Sequence, residues 1–249
     1  MANAGDGPRH EMREASRVVA GVTAPWERRA LAWLAPRVPS AITSDHLTLL
    51  GLAATVACGA LYAASPAWPA ALWLVSLGLA LNWLGDSLDG SLARYRRCER
   101  PRFGFYVDHL ADAFGALFLL GGLGASGLMS PLVAASLLAA YFLLAIQTYL
   151  ATYAIGRFKV SWGPVGGTEL RLALVALNAV AVHSPRIVLA GRSWLLFDVV
   201  GTGAAAALVA VATSAGLRGT LALAREEGWA PASPARESPV APSGRGPAA

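Results

Sequence analysis

The chain has 249 residues, of which 55% are hydrophobic and 14% are charged, and its formal net charge is +5. Soluble domains usually carry about 25% charged residues, so this composition and the mean hydropathy of +0.50 argue against a soluble protein and indicate a single integral membrane domain. The basic excess comes almost wholly from arginine without a pattern typical of RNA or DNA binding, so nucleic acid is not an expected partner.

The N-terminal 38 residues contain no apolar stretch of the length that a cleavable signal peptide requires. We therefore expect the first hydrophobic helix to act as an uncleaved insertion signal, preceded by a flexible segment over residues 1–23. Trp26 and Trp33 share one helical face, and Arg28 lies off that face. This pattern predicts an interfacial amphipathic helix over residues 24–38 that lies in the headgroup layer of the lipid bilayer.

Six hydrophobic segments follow, and most of them approach the ~20 residues that a spanning helix needs. The fold class predicted is therefore all-α, a polytopic integral membrane protein with about six transmembrane helices in a membrane domain over residues 39–228. The tail, residues 229–249, is rich in Pro, Ala, Ser and Gly, and we expect it to be disordered. The segments are residues 47–64, 68–86, 105–126, 131–156, 170–183 and 194–217, and the fifth is short in purely apolar terms.

The distribution of basic residues predicts the orientation of these spans. Of the 20 Lys and Arg residues, only Arg186 and Arg192 lie in the loops opposite to the basic segments. Because basic residues concentrate on the cytoplasmic side, both termini and the 94–102 loop are expected there. The chain is then a multi-pass protein, and we expect it in a bacterial inner (cytoplasmic) membrane.

Five polar residues at segment boundaries receive a structural interpretation. Ser44 and Asp45 stand where the first span needs an N-cap, since their side-chain oxygens can accept hydrogen bonds from the free N–H groups of a helix start. Thr168 and Glu169 are interpreted in the same way for the fifth span. Asp198, alone near the start of the last span, is expected to cap that helix or to snorkel toward the surface.

Ionisable residues cluster where the second segment ends and the third begins. A charged group at membrane depth costs roughly 2.5–3.5 kcal/mol, so four carboxylates require partners, and one or two hard divalent cations such as Mg²⁺ or Mn²⁺ are suitable. If the second span continues as a helix, its charged residues share an arc of roughly 140°, and a tight turn around Pro101 would bring them to the third span. The charged residues are Asp86, Asp89, Arg94, Asp108 and Asp112.

These residues form a spaced motif, DxxDGxxAR, followed by a spacer and then GxxxDxxxD. The motif resembles the signature of the CDP-alcohol phosphotransferase (CDP-alcohol phosphatidyltransferase) family, membrane enzymes that make phospholipid head groups. Every position of the signature is filled, and the spacer is near its usual length. The signature positions are Asp86, Asp89, Gly90, Ala93, Arg94, Gly104, Asp108 and Asp112.

The resemblance implies a metal-dependent enzyme of phospholipid biosynthesis. It would transfer a substituted phosphate from a CDP-alcohol, with CDP-diacylglycerol as the favoured donor, to a small polar alcohol and release CMP. The resemblance also implies two Mg²⁺ or Mn²⁺ ions and a homodimer. The residue roles that it implies are metal binding by Asp86, Asp89, Asp108 and Asp112, general-base catalysis by Asp112, and CDP binding by Gly90, Ala93 and Arg94.

Several alternatives stay open at this stage. Arg157, Lys159 and Arg171 form a second basic group, which either anchors the cytoplasmic side or binds an acceptor phosphate. His109 directly follows Asp108, and choline and ethanolamine phosphotransferases resemble this pairing, so transfer from CDP-choline or CDP-ethanolamine to diacylglycerol is the alternative reaction. His109 can equally be a histidine without a ligand role. A divalent-cation transporter and a catalytically inactive lipid-binding homologue are the remaining alternatives.

Overall fold

A computed structural model describes residues 22–155 and 166–228. Within them, the chain forms seven α-helices, a 3-10 helix and two short β-strands. The predicted flexible segment, residues 1–23, lies almost entirely outside the described residues, as does the whole predicted tail. The elements are α1 (Ala24–Leu34), a 3-10 helix (Ala35–Arg37), α2 (Ser44–Ala64), α3 (Ala71–Tyr95), α4 (Pro101–Ala125), α5 (Pro131–Ile155), α6 (Gly167–Ala181), β1 (Arg186–Leu189), β2 (Arg192–Leu195) and α7 (Leu196–Glu226).

Five helices, α2, α3, α4, α5 and α7, are long and apolar enough to cross a membrane. The chain is therefore a multi-pass membrane protein with a short N-terminal helix, as the sequence predicts. The fifth predicted segment forms α6, which has 15 residues. At 1.5 Å per residue it is about 22 Å long, shorter than the roughly 30 Å hydrocarbon core of a bilayer.

A β-hairpin connects α6 to α7, where the sequence predicts no strand. Its strands pair antiparallel with Ile187 opposite Trp194, and Ala190 and Gly191 turn the chain with φ values of 50° and 75°. Each strand has only four residues, which is too short for an alternating pattern to be recognised beside long apolar segments. The structure therefore confirms five of the six predicted spans, the fifth predicted segment is helical but shorter than a span, and the hairpin is an addition to the prediction.

Helix α2 packs closely against both α3 and α4 because glycines lie at the contacts. A Cβ atom added to Gly85 of α3 would lie 2.5 Å from the carbonyl oxygen of Leu47, and one added to Gly122 of α4 would lie 1.9 Å from that of Gly59. Larger residues at either position would force the helices apart. We call the end of the bundle where α3 ends and α4 begins the motif end, and the opposite end the far end.

The start of α2 corrects one prediction about helix caps. The N-cap is Thr43, whose hydroxyl accepts a hydrogen bond from the backbone N–H of His46 at 3.4 Å. Ser44 and Asp45 are instead the first two residues of the helix. The His46 ring in turn accepts a hydrogen bond from the backbone N–H of Thr43. This reciprocal pair is a capping box, so the helix start does not need Asp45 as a cap.

The other predicted boundary residues keep structural contacts. Glu169 lies in the first turn of α6 and accepts a hydrogen bond from the Gly166 backbone at 2.8 Å, as predicted for a helix start. Asp198 lies in the first turn of α7 and accepts a hydrogen bond from the backbone of Ser130 at 2.6 Å. Asp198 therefore connects the start of α7 to the start of α5 at the far end.

Two apolar cores stabilise the bundle. The larger lies at the far end and includes the buried side chains of Tyr62, Val75 and Phe197. The smaller lies at the motif end, where residues of α1 and the 3-10 helix pack against α2 and α3; its buried members are Leu31, Ala35, Leu47, Leu88 and Leu92. The N-terminal helix is therefore anchored beside the part of α3 that carries the aspartates.

Candidate active site at the α3–α4 turn

The turn between α3 and α4 brings the two halves of the motif together. Helix α3 continues to Tyr95 and α4 begins at Pro101, which confirms the predicted helix through Arg94 and the turn beside Pro101. The guanidinium of Arg96 donates to three backbone carbonyls in the segment before α2, at 2.6 to 3.0 Å. Charge-assisted hydrogen bonds of this kind fix the turn against the start of α2.

A cavity of about 260 Å³ opens between α2, α3 and α4 at this turn. Five of the signature residues line it, three from α3 and two from α4. Residues of the start of α2 and of the α3–α4 turn complete the lining. The signature residues in the cavity wall are Asp89, Gly90, Ala93, Gly104 and Asp108.

Asp89 is the buried acidic residue of this cavity, with only 6% of its surface exposed. Its carboxylate accepts a hydrogen bond from the Thr48 hydroxyl at 2.6 Å and a second from the Gly90 backbone. Asp86 and Asp108 lie within electrostatic range of it. Thr48 was not among the predicted site residues, although a hydroxyl near the start of the first apolar segment was a usable signal.

Asp86 lies at the border between α3 and α6. Its Oδ2 accepts a hydrogen bond from Nη2 of Arg171 at 2.7 Å, and the two side chains are 36% and 18% exposed, respectively. Nε of Arg171 donates to Oδ1 of Asn82 at 2.7 Å, and Nδ2 of Asn82 donates to the carbonyl of Gly51 at 3.0 Å. The structure therefore brings Arg171 into the site together with Asn82, which the sequence analysis missed.

Helix α5 forms another side of the site. Asp112 of α4 lies within electrostatic range of the hydroxyls of Tyr141 and Tyr149. The His109 ring contacts the Tyr149 ring with 5.1 Å between centroids, and its Nδ1 lies 2.6 Å from the carbonyl oxygen of Phe105. Both tyrosines lie in a helix without acidic or basic residues, so the sequence offered no signal that they face the motif.

Arg100 lines the cavity, and Arg94 directly follows Ala93 of the cavity wall. Nη2 of Arg94 donates to the Ser91 hydroxyl of its own helix at 3.2 Å, and a Cβ atom added to Gly90 would lie 3.4 Å from Nη1 of Arg94. Arg100 forms an ion pair with Asp45 in which both side chains are about half exposed. Because exposed ion pairs contribute little stability, these arginines can exchange their present partners for an anion at low energetic cost.

The second basic group is described only in part. Arg171 lies in α6 and contacts Asp86, whereas Arg157 and Lys159 lie outside the described residues. Tyr141 is also within electrostatic range of Arg171 and Asp86. The positively charged side chain of Arg171 therefore faces the motif from α6. Its partner there can be either an acidic residue or a phosphate group.

The acidic residues fit a divalent cation by their chemistry. Carboxylate oxygens are the donors that Mg²⁺ and similar ions prefer, and Asp89 and Asp108 line one cavity. Across residues 22–155 and 166–228, no three His, Cys, Asp or Glu side chains are gathered closely enough to hold a metal ion. Asp86 directs Oδ2 at Arg171, and a carboxylate has a second oxygen through which it can bind a cation at the same time.

Comparison with known proteins points to one family. A family model described as CDP-alcohol phosphatidyltransferase matches residues 41–215, which is more than half of the chain and includes α2 to α6. The family is an enzymatic transferase family of phospholipid biosynthesis that uses a CDP-alcohol donor, an alcohol acceptor and, generally, divalent metals. No curated protein matches the chain in a sequence comparison. The family match agrees with the resemblance of the spaced aspartates.

Proposed function

We propose that this chain, which belongs to the CDP-alcohol phosphatidyltransferase family, transfers the phosphatidyl group of CDP-diacylglycerol to a small polar alcohol and releases CMP. The convergence of five signature residues on one cavity at the motif end carries the proposal. The proposed catalytic domain is residues 39–228, and the proposed product is a phospholipid.

The CDP moiety is proposed to bind along the surface of α3 that faces the cavity. Gly90 and Ala93 present little side-chain bulk there, so a pyrophosphate can approach the helix closely. An added Cβ atom at Gly104 would meet no atom within 4 Å, which leaves space on the α4 side. The guanidinium of Arg100, in the cavity wall, and that of Arg94, one residue after Ala93, offer planar donors for phosphate oxygens.

The four aspartates are proposed to hold one or two Mg²⁺ or Mn²⁺ ions. When bound, such ions would neutralise charge on the pyrophosphate and on the departing CMP. The hydrogen bonds from Thr48 and the Gly90 backbone fix the orientation of the Asp89 carboxylate, and an oriented donor binds a cation with less loss of side-chain freedom.

Asp112 is proposed to act as the general base. Its carboxylate takes the proton of the acceptor hydroxyl while the acceptor oxygen forms a bond to the phosphorus of the phosphatidyl group. The bond from that phosphorus to the oxygen of CMP breaks, and CMP leaves with the bonding electrons. The neighbouring hydroxyls of Tyr141 and Tyr149 are polar groups that can help to place the acceptor.

Arg171 is proposed to bind the acceptor when that acceptor carries a phosphate group. Its guanidinium lies beside Asp86 at the edge of the site, and guanidinium donors match phosphate oxygens in a bidentate manner. Arg157 and Lys159 would act with it. The reaction would then join two substrates between α3, α4 and α6.

A panel of donors and acceptors tests the reaction. The purified protein is incubated with Mg²⁺ or Mn²⁺ and either CDP-diacylglycerol with glycerol 3-phosphate, serine, inositol or inositol phosphate, or CDP-choline with diacylglycerol. We expect CMP release with the first donor, and mass spectrometry of the lipid product identifies the acceptor. Release only from CDP-choline would support the alternative reaction. Cation flux into proteoliposomes without CMP release from any pair would instead indicate a transporter.

The proposal also includes an orientation, with the motif end and both termini in the cytoplasm of a bacterial inner membrane, and a homodimer. The arginine asymmetry between the loops supports this orientation. Cys98 in the α3–α4 turn is exposed, so a membrane-impermeant thiol reagent should label it in inverted vesicles and leave it unlabelled in sealed right-side-out vesicles. Labelling from the outside would contradict the orientation and separate the site from a cytoplasmic donor.

A further inference from the structure

The carboxylate of Glu27 in α1 bridges two helices of the site. Its Oε1 accepts hydrogen bonds from Nε1 of Trp83 at 3.2 Å and from the Ser87 hydroxyl at 2.7 Å, both in α3. Its Oε2 accepts from the Thr168 hydroxyl in the first turn of α6 at 3.1 Å. One side chain of the N-terminal helix therefore connects α3 and α6.

The donors to Glu27 stand next to the residues that form the ion pair between α3 and α6. Ser87 follows Asp86 in the chain, and Thr168 lies three residues before Arg171, so Thr168 and Arg171 are neighbours on the surface of α6. The Glu27 contacts and the Arg171–Asp86 contact thus hold the same two helices within one turn. A displacement of α6 along α3 would break both sets of contacts together.

Helix α1 is a firm support for this bridge. Leu31 packs into the smaller apolar core against α2 and α3. A reciprocal contact also joins α1 to α6, since Oε1 of Glu169 accepts hydrogen bonds from the backbone and hydroxyl of Thr23 at 2.9 and 2.8 Å. The bond from the Thr23 backbone is the main reason that the pKa of Glu169 is lowered to about 2, so this contact favours the charged form of the carboxylate.

We propose that Glu27 is a positioning residue that holds the start of α6 against α3 and thereby places Arg171 beside Asp86 for acceptor binding. The proposal rests on the proposed function, because it assigns Arg171 to the acceptor. Glu27 lies before residue 41, where the match to the family model begins. The N-terminal helix is then a part of the acceptor site as well as a membrane-surface element.

A double-mutant cycle tests this proposal in the full-length protein. The variants are Glu27→Ala, Arg171→Ala and their combination, with Glu27→Gln as the conservative variant. The Gln amide can still accept from Trp83 and Ser87 and can donate to the Thr168 hydroxyl. Asp198→Ala is the matched control, since it also removes a carboxylate that joins two helices but acts at the far end. For each variant we measure the unfolding temperature in detergent, kcat, and KM for CDP-diacylglycerol and for the acceptor.

We expect Glu27→Ala to raise the acceptor KM about tenfold, because misplacement of a positioning group by about 1 Å can cost up to about 10²-fold. The donor KM should stay within about twofold, and Glu27→Gln should recover most of the loss. In the Arg171→Ala background, Glu27→Ala should raise the acceptor KM no further, since coupled residues are not additive. Multiplying effects, or equal changes in both KM values, would overturn the proposal, as would a matching rise in acceptor KM in Asp198→Ala.

The unfolding temperatures separate this proposal from the proposed function. If Glu27 and Arg171 act through one contact set, the double variant should lower the unfolding temperature by less than the sum of the single variants. Additive shifts would overturn the link between the two residues. If the wild-type protein releases no CMP with any donor, the proposed function fails and this cycle alone decides whether Glu27 positions Arg171.

Discussion

Helix α6 takes part in an amide-centred polar network at each end, and the two networks differ in charge. At the far end, Asn178 is fully buried. Its Oδ1 accepts from the Tyr62 hydroxyl at 2.8 Å, and its Nδ2 donates to the Ser76 hydroxyl at 3.3 Å. The members of this network lie in α2, α3 and α6, and all of them are neutral. The network therefore satisfies the hydrogen-bonding groups of buried side chains.

At the motif end, a side-chain amide also connects three helices, but here the hydrogen-bond network ends in charged groups. Asn82 joins the backbone of Gly51 in α2 to Arg171 in α6, and Arg171 continues to Asp86. This pair is partly exposed, and Asp86 lies within electrostatic range of Asp89, which lines the cavity. The buried neutral network therefore contributes to packing. The network that ends in partly exposed charged groups is instead available to bind a ligand.

Metal removal should separate the two ends most strongly. If the aspartates at the motif end hold the cations, EDTA should abolish CMP release and added Mg²⁺ or Mn²⁺ should restore it. The neutral network at the far end contains no carboxylate, so metal removal should leave it intact. The unfolding temperature should therefore change much less than the activity. Full activity in metal-free buffer, checked by elemental analysis, would contradict the assigned role of the aspartates.

Removal of the proposed base should give the next largest effect. In Asp112→Asn, turnover should fall by roughly 10²–10⁴-fold, while binding of the CDP donor largely persists because the amide keeps the size of the side chain. In Arg94→Ala, donor affinity should weaken together with the rate, since a phosphate contact is lost. Turnover of Asp112→Asn close to that of the wild-type protein, in a sample stable in detergent, would exclude Asp112 as the base.

Matched substitutions of the two amides test the comparison itself. Asn178→Leu leaves the buried Tyr62 hydroxyl without its acceptor, which costs about 1–3 kcal/mol, so the unfolding temperature should fall while the acceptor KM of the folded protein is unchanged. Asn82→Leu removes the acceptor for Nε of Arg171 and should raise the acceptor KM by severalfold. Equal effects of both variants on the acceptor KM would show that the two ends do not differ in function.

The ion pair at the mouth of the cavity should have the smallest effect on stability. The Arg100–Asp45 pair is about half exposed on both sides, and such pairs contribute about 0–1 kcal/mol. Asp45→Asn should therefore change the unfolding temperature little, and Arg100→Ala should weaken donor binding more than stability. A large loss of stability in either variant would assign this pair to packing.

The sequence predicts the α3–α4 half of the site well because its residues are close in the chain. The charges of Asp86, Asp89, Asp108 and Asp112 stand out against apolar segments, and helical spacing places them on shared faces. The structure brings Asp89 and Asp108 to one cavity, whereas Asp86 and Asp112 do not line it, and the roles of all four stay predictions. Local spacing is sufficient where two neighbouring helices and one short turn build the site.

Contacts between distant segments could not be predicted in this way. Asn82 and Arg171 are separated by 89 residues, and Glu27 and Thr168 by 141. Their pairing depends on how α6 packs against α3, and a single sequence contains no periodic signal for that packing. The hairpin before α7 was missed for a different reason, because each of its strands has four residues.

The ratio of CMP released to phospholipid formed tests the central claim most directly. Purified protein is reconstituted with CDP-diacylglycerol, Mg²⁺ or Mn²⁺ and the active acceptor, and both products are quantified in the same reaction, with Asp112→Asn as the inactive reference. Group transfer at the motif end predicts one CMP for each phospholipid molecule and no release without acceptor. CMP release without a new phospholipid, or no release with any acceptor, would contradict the proposed transfer.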